Sequence, residues 1–187
     1  MAQEKAWEKE YSDSTFLTKD SKPQADTLKA FRFLKKEGVS LQGAKVLDLG
    51  SGAGRNTNYA SEQGAEAFGI EISNTAVSIA KEYAHIHKLS SVFIQGDIGK
   101  PFSFPDEHFD ILLDITSSNS LTESEREMYL KESFRVLKQG GYFIVKALCK
   151  DGDANAQYLL KHNPGPEIDT YILPDRNIVE RVFSRSD

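Results

Sequence analysis

Three glycines stand at alternate positions, Gly50, Gly52 and Gly54, with Asp48 just ahead of them and Arg55 directly behind. Glycines so spaced let a chain turn through positive φ and let backbone N–H groups approach a ligand at a helix N-terminus. Glu71 lies 71 − 50 = 21 residues past the first glycine. A carboxylate there closes a second strand and can accept hydrogen bonds from ribose hydroxyls. Asp97, within Gly96-Asp97-Ile98, is placed after a third strand to accept from an adenine amino group. Each feature also has a plainer reading. The glycines suit any strand-to-helix turn, Glu71 suits a solvated helix start, and Asp97 suits a turn. The G-x-G-x-G spacing differs from the G-x-G-x-x-G of dinucleotide sites and disfavours an NAD-dependent oxidoreductase.

These residues need strands that end side by side. From residue 44 onward short apolar runs alternate with helical patterns, the mark of a parallel sheet with helices on its faces. The runs are Lys45 to Leu49, Ala67 to Ile72, Ser91 to Gln95, Phe109 to Ile115 and Tyr142 to Leu148. The fourth, nearly continuous in Ile and Leu, reads as a central strand. Ser73 reads as the N-cap of a helix burying Ala76, Ala80, Tyr83, Ala84 and His87. Thr122 and Glu125 form a capping box for a helix with Leu130, Phe134 and Leu137 inward, stopped at Gln139-Gly140-Gly141. An earlier amphipathic helix, Ala25 to Lys36, turns Leu28, Phe31 and Leu34 inward. The tail from Lys150 to Asp187, with Asn163-Pro164-Gly165-Pro166 and Pro174, reads as irregular.

Composition removes whole classes of function. A chain of 187 residues that is 39% hydrophobic and 27% charged is an ordinary globular domain. Its net charge is −5 and no basic cluster exceeds Lys35-Lys36, which argues against nucleic-acid binding. One cysteine and four scattered histidines, His85, His87, His108 and His162, compose no metal pattern and suggest a reducing, cytoplasmic setting. The polar N-terminus and the lack of a long apolar run oppose secretion and membrane insertion.

Taken in order, Val46-Leu47-Asp48-Leu49-Gly50-Ser51-Gly52-Ala53-Gly54, Gly69-Ile70-Glu71-Ile72-Ser73, Gly96-Asp97-Ile98 and Phe109-Asp110-Ile111-Leu112-Leu113-Asp114 resemble the class I S-adenosylmethionine-dependent methyltransferases. The resemblance runs from about Trp7 to Phe183. It implies a Rossmann-like α/β fold, S-adenosylmethionine as cofactor and S-adenosylhomocysteine as product. By the same resemblance, Asp48, Gly50, Ser51, Gly52 and Gly54 hold the methionine end, and Glu71 binds the ribose. Ile72 packs on adenine, Asp97 with Ile98 reads the adenine edge, and Asp114, with Ile115 and Thr116, sits beside the transferable methyl.

The catalytic residue stays open, with Asp114 and His162 as candidates. Asp114 alternatively caps the following turn, and His162 alternatively lies on a surface loop. Trp7, Tyr11 and Phe16 are candidates for an N-terminal lid, and Ser117, Ser118, Asn119 and Ser120 for an acceptor pocket. Cys149 reads as a small core residue. No Asn/Asp-Pro-Pro-aromatic signature follows Asp114, so the expected acceptor is a small molecule. A non-catalytic adenosyl-binding protein is the alternative.

The family's sheet has seven strands, whereas this chain ends at Val182-Phe183-Ser184-Arg185-Ser186-Asp187, which reads as the start of the helix before the sixth strand. The expectation is therefore a single domain with five parallel strands in the order 3-2-1-4-5, lacking strands 6 and 7, from a shortened chain. Residues 1–43 form a helical cap, 44–149 the cofactor-binding core, and 150–187 the irregular segment. Strand 142–148 then lies at an edge, which is expected either to form a homodimer or to be covered by the tail.

Overall fold

The computed structural model describes residues 2–13, 21–173 and 175–185. Phe16, Pro174, Ser186 and Asp187 lie outside them.

Five strands, β1 (Lys45–Leu49), β2 (Glu66–Glu71), β3 (Val92–Gln95), β4 (Phe109–Ile115) and β5 (Leu137–Lys146), form one sheet in the order β3-β2-β1-β4-β5. Every pairing within it is parallel. The central strands are apolar on both faces because helices cover both. One face carries Leu47, Leu49, Phe109 and Leu112 with Tyr129 and Val136. The other carries Val46, Ile111 and Leu113 with Phe31 and Leu34 of helix α2 (Ala25–Lys36). Connections α3 (Arg55–Glu62), α4 (Asn74–Ile86) and α5 (Glu123–Val136) complete the layers, and α1 (Ala2–Ser12) lies ahead of them.

The local signals that act through hydrogen bonds appear as expected. Ser73 Oγ accepts from Ala76 N at the start of α4. Thr122 and Glu125 make both bonds of the capping box. The inward face of α5 differs from expectation, however. Leu130 and Phe134 are 41% and 66% exposed, while Tyr129, Glu132, Ser133 and Val136 are buried. Two of the polar residues in the buried stripe, Tyr129 and Glu132, are held there by hydrogen bonds. Tyr129 Oη donates to Asp114 at 2.5 Å, and Glu132 accepts from Phe102 N at 2.7 Å and pairs with Arg135 at 2.7 Å. Likewise His87 is exposed, at the C-cap of α4, and stacks on Tyr83.

Helix α5 stops at Val136, ahead of the glycines, and β5 begins at Leu137. Gly140, at φ 76°, sits in an irregularity where the register jumps from Phe109–Leu137 to Ile111–Tyr142. A bulge of this kind uses the left-handed freedom of glycine.

The tail is regular, contrary to expectation. Asp153 accepts from Asn155 N and Ala156 N and opens α6 (Ala154–His162). Strands β6 (Thr170–Leu173) and β7 (Ile178–Arg181) then form a separate antiparallel hairpin. Among the described residues the main sheet thus has five strands and lacks strands 6 and 7, as expected. Residues Val182-Phe183 are extended instead of starting a helix. Phe183 bridges Cys149, with Phe183 N donating to Leu148 O and Lys150 N to Phe183 O. The tail therefore covers the end of the edge beyond β5, and Cys149 is half-buried in that contact. From Tyr142 to Lys146, β5 pairs only with β4 among the described residues.

Gly54 caps α3 at φ 83°, and a Cβ there would stand 2.7 Å from Phe93 and 2.8 Å from Ala80. The Gly54→Ala protein is expected to lose about 2 to 5 kcal/mol, from the left-handed conformation together with overpacking. Denaturant unfolding that shows less than about 1 kcal/mol would refute this assignment of Gly54 to packing.

Candidate functional site

A cavity of about 320 Å³ opens at the C-terminal ends of β1 to β4. This is where open parallel sheets bind ligands, and the size falls within the range of small-molecule sites. The loop after β1 supplies Gly50, Ser51, Gly52 and Ala53. Gly50 and Gly52 have φ 71° and 53°, and both are closely approached: a Cβ on Gly50 would collide with Ser117, and one on Gly52 with the Tyr11 hydroxyl. Glycine is needed at both positions because Ser117 and Tyr11 pack directly against the loop that borders the cavity.

Glu71 ends β2, is buried, and faces the loop. Its Oε2 accepts from Gly52 N at 2.9 Å and its Oε1 from Ser73 N at 2.8 Å. A carboxylate has about four lone-pair sites, so each oxygen keeps a position for a hydroxyl. Burial raises the Glu71 pKa, and the bonds from Ser73 and Gly52 counter that rise. Ile72, Asp97 and Ile98 line the same wall, and Gly99 N donates to Asp97 Oδ1 at 2.8 Å.

Asp48, Gly54 and Asp114 do not reach the cavity wall. Asp48 lies beneath the loop, almost wholly buried, and accepts from Thr57 Oγ1 at 2.7 Å. Burial pushes its pKa up to about 7; the Thr57 bond opposes this, while the charges of Asp114 and Glu71 add to it. Asp114 is fully buried, accepting from Ser117 N at 2.8 Å and from Ser118 N and Tyr129 Oη. It caps the turn after β4, the alternative reading of this residue, and its remaining bond ties that turn to Tyr129 of α5. Burial raises its pKa too. The three carboxylates have no cationic partner among the described residues.

His162 is exposed in the last turn of α6, stacked on Tyr158, and lies away from the cavity. It is therefore corrected from a candidate base to a surface residue, because the loop in which it was expected is a helix end. Of the serine-rich turn, Ser117 and Ser120 line the cavity, whereas Ser118 and Asn119 are buried outside it. Thr116 also lines it, with φ 66°, a strained conformation for a β-branched residue and typical of functional sites.

Helix α1 roofs the cavity with Gln3, Trp7 and Tyr11. The lid reading of Trp7 and Tyr11 therefore agrees with their placement. Gln3, Gln24 and Asn56 were not identified from the sequence. Gln24 and Asn56 bond each other twice, Gln24 N to Asn56 Oδ1 at 3.0 Å and Asn56 Nδ2 to Gln24 Oε1 at 2.8 Å, and so tie α2 to α3. Their separation of 32 residues hides that pairing in a linear reading.

The residues fit an adenosyl ligand. Buried Glu71 keeps lone pairs for hydroxyls, Asp97 and Ile98 lie beside it on the cavity wall, and Ser51 Oγ is buried without a hydrogen-bond partner. Among the described residues no cluster of three His, Cys, Asp or Glu is arranged to hold a metal ion, and no helix is long and apolar enough to cross a membrane.

A parallel α/β domain with a nucleoside-sized cavity across its strand ends is the class that fold and site define. The methyltransferase-domain family model matches residues 47–145, more than half of the chain, and the chain belongs to this S-adenosylmethionine-dependent family. A fatty-acid O-methyltransferase of Mycolicibacterium smegmatis is 30% identical over 108 residues, 57% of this chain and 38% of that protein. The chain thus spans well under half of that relative. A solved protein of Pyrococcus horikoshii is 25% identical with a TM-score of 0.64, covering 87% of this chain and 78% of the other. A solved S-adenosylmethionine-dependent methyltransferase of Methanosarcina mazei has a TM-score of 0.69 at 22% identity, covering 78% and 75%, and shares the fold.

Proposed function

We propose that this domain binds S-adenosylmethionine in the cavity and catalyses transfer of its methyl group to a nucleophilic atom of a small-molecule acceptor. The observation that carries the reading is buried Glu71 facing the glycine cradle, with Asp97 on the neighbouring strand end. When bound, the cofactor supplies a sulfonium methyl that an acceptor lone pair displaces in line, the C–S electrons passing to sulfur to leave S-adenosylhomocysteine. Glu71 and the loop amides orient the ribose and methionine ends, and Asp97 with Ile98 the adenine. Thr116 and Ser117, at the end of β4, border the acceptor side. Alignment contributes much of the rate in such a displacement, with proximity effects of roughly 7 to 11 kcal/mol. Protein groups are needed chiefly to position the reactants and exclude water. Trp7 and Tyr11 in the roof serve the second purpose.

A small acceptor accords with a cavity of about 320 Å³ roofed by α1 and with the net charge of −5. The test is incubation with methyl-labelled S-adenosylmethionine and panels of carboxylic acids, phenols, amines and thiols. Label is expected in an acceptor from one panel, with release of S-adenosylhomocysteine. Tight cofactor binding without label transfer to any panel would instead support a non-catalytic binding domain.

A further inference from the structure

Helix α4 starts directly after Glu71, and its first turn is held from two directions. Ser73 caps it from within the chain. A second carboxylate arrives from α1. Glu8 Oε2 accepts from Ser73 Oγ at 2.7 Å and from Thr75 N at 3.2 Å, and Glu8 Oε1 accepts from Thr75 Oγ1. These bonds hold the Glu8 carboxyl below its ordinary pKa, those from Thr75 most, so it is ionised at neutral pH.

The contact links two parts of the site that are far apart in sequence. Ser73, whose hydroxyl Glu8 holds, is the residue whose N–H donates to Glu71 Oε1. Trp7 and Tyr11, one position before and three after Glu8, are the aromatic residues of the roof. The rest of α1 is anchored on β7 through Gln3 Nε2 to Val179 O at 2.7 Å, and on the turn before β7 through Glu10 to Arg176 at 3.3 Å. Glu8 is therefore the charged tie between the roof and the ribose carboxylate.

We propose that Glu8 is a positioning residue: from α1 it fixes both Ser73, which orients Glu71, and the roof over the cavity, and so sets how long an adenosyl ligand stays bound. The inference rests on the adenosyl reading of the cavity. It goes beyond that reading by assigning ligand residence to a residue outside the cavity wall. A tie made before the ligand arrives lowers the ordering cost of binding and acts on dissociation more than on association.

The experiment measures S-adenosylhomocysteine association and dissociation by stopped flow, following the single tryptophan, Trp7, in wild type, Glu8→Ala, Glu8→Gln and Thr75→Val. Glu8→Ala is expected to dissociate about tenfold faster, as for loss of one charge-assisted hydrogen bond, with association changed less than about twofold. Glu8→Gln, which keeps an acceptor oxygen for Ser73, should fall between it and wild type. The Glu8→Ala/Thr75→Val double variant should dissociate no faster than Glu8→Ala alone, since both changes cut the same tie, whereas a merely structural loss would lower stability without this split between the two rates. Acrylamide should quench Trp7 more strongly in ligand-free Glu8→Ala than in wild type. Wild-type dissociation in both Glu8 variants overturns the proposal, as does an equal rise of both rates with Kd unchanged. A wild-type protein that binds no S-adenosylhomocysteine overturns the adenosyl reading itself, whereas binding by wild type with unchanged variants overturns only the role of Glu8.

Discussion

Replacing Glu71 by alanine is expected to weaken S-adenosylhomocysteine binding by more than about 100-fold. Two hydrogen bonds from ribose hydroxyls to a carboxylate contribute about 1.5 kcal/mol each, and 3 kcal/mol is a factor above 100. The structure adds a second source of loss. Glu71 also holds the Gly52 and Ser73 amides, so the variant frees the loop that cradles the ligand. For the ligand-free protein the two effects oppose each other. Alanine removes a carboxylate whose ionised form burial disfavours, but leaves two buried N–H groups unsatisfied at about 1 to 3 kcal/mol each. The stability of apo Glu71→Ala should therefore fall modestly while binding collapses. Glu71→Gln keeps one acceptor oxygen but sets its NH2 against the other buried amide, so it should lose about 1 to 3 kcal/mol of stability and bind about tenfold more weakly than wild type. Calorimetric titration gives the affinities. Thermal unfolding at a ligand concentration of 100 times the wild-type Kd should show about 2.7 kcal/mol of stabilisation for wild type and less than about 0.4 kcal/mol for Glu71→Ala. Binding by Glu71→Ala within threefold of wild type would remove Glu71 from the ligand's contacts.

Strand ends and glycine turns were legible in the sequence because they are written in contiguous residues. Periodicity set the bounds of β1, β4 and α2, and the order of acid-bearing strand ends placed Glu71 and Asp97 at one cavity. The errors occur where a side chain answers a distant partner. Tyr129 and Glu132 look like the polar face of α5, yet they are buried because Asp114, Phe102 and Arg135 complete their hydrogen bonds. Asp114 looks like a ligand group at a strand end, yet its lone pairs serve Ser117, Ser118 and Tyr129. The tail reads as irregular from its prolines and glycines, although Asp153 is a legible helix cap and the β6–β7 hairpin buries Tyr171 and Ile178. Gln3 and Glu8 carry no local signal at all. Their partners, Val179, Ser73 and Thr75, lie 65 to 176 residues away.

The anionic floor of the cavity leads to a pH prediction with a definite sign. Burial holds the proton of Asp48 in the folded protein up to about pH 7, against an ordinary aspartate value of 3.8. Because the folded state holds that proton to higher pH than the unfolded chain, stability falls as pH rises from about 4 through 7 and is constant above. Asp48→Asn keeps the oxygen that accepts from Thr57 but cannot ionise. Relative to wild type it should gain about 2 to 3 kcal/mol between pH 5 and pH 8, at 1.36 kcal/mol per pH unit across the part of the titration that remains. Urea unfolding at pH 5, 6, 7 and 8 measures the difference, and parallel profiles for the two proteins would refute it. A cationic ligand reverses the balance. The ammonium and sulfonium of S-adenosylmethionine favour the ionised form of Asp48, so binding should release a proton below pH 7 and tighten as pH rises from 5 to 7. In Asp48→Asn the affinity should change little over the same range. A buried acid that destabilises the ligand-free domain as it ionises is expected to favour a cationic ligand above the loop, and the pH dependence of affinity in the two proteins tests that coupling.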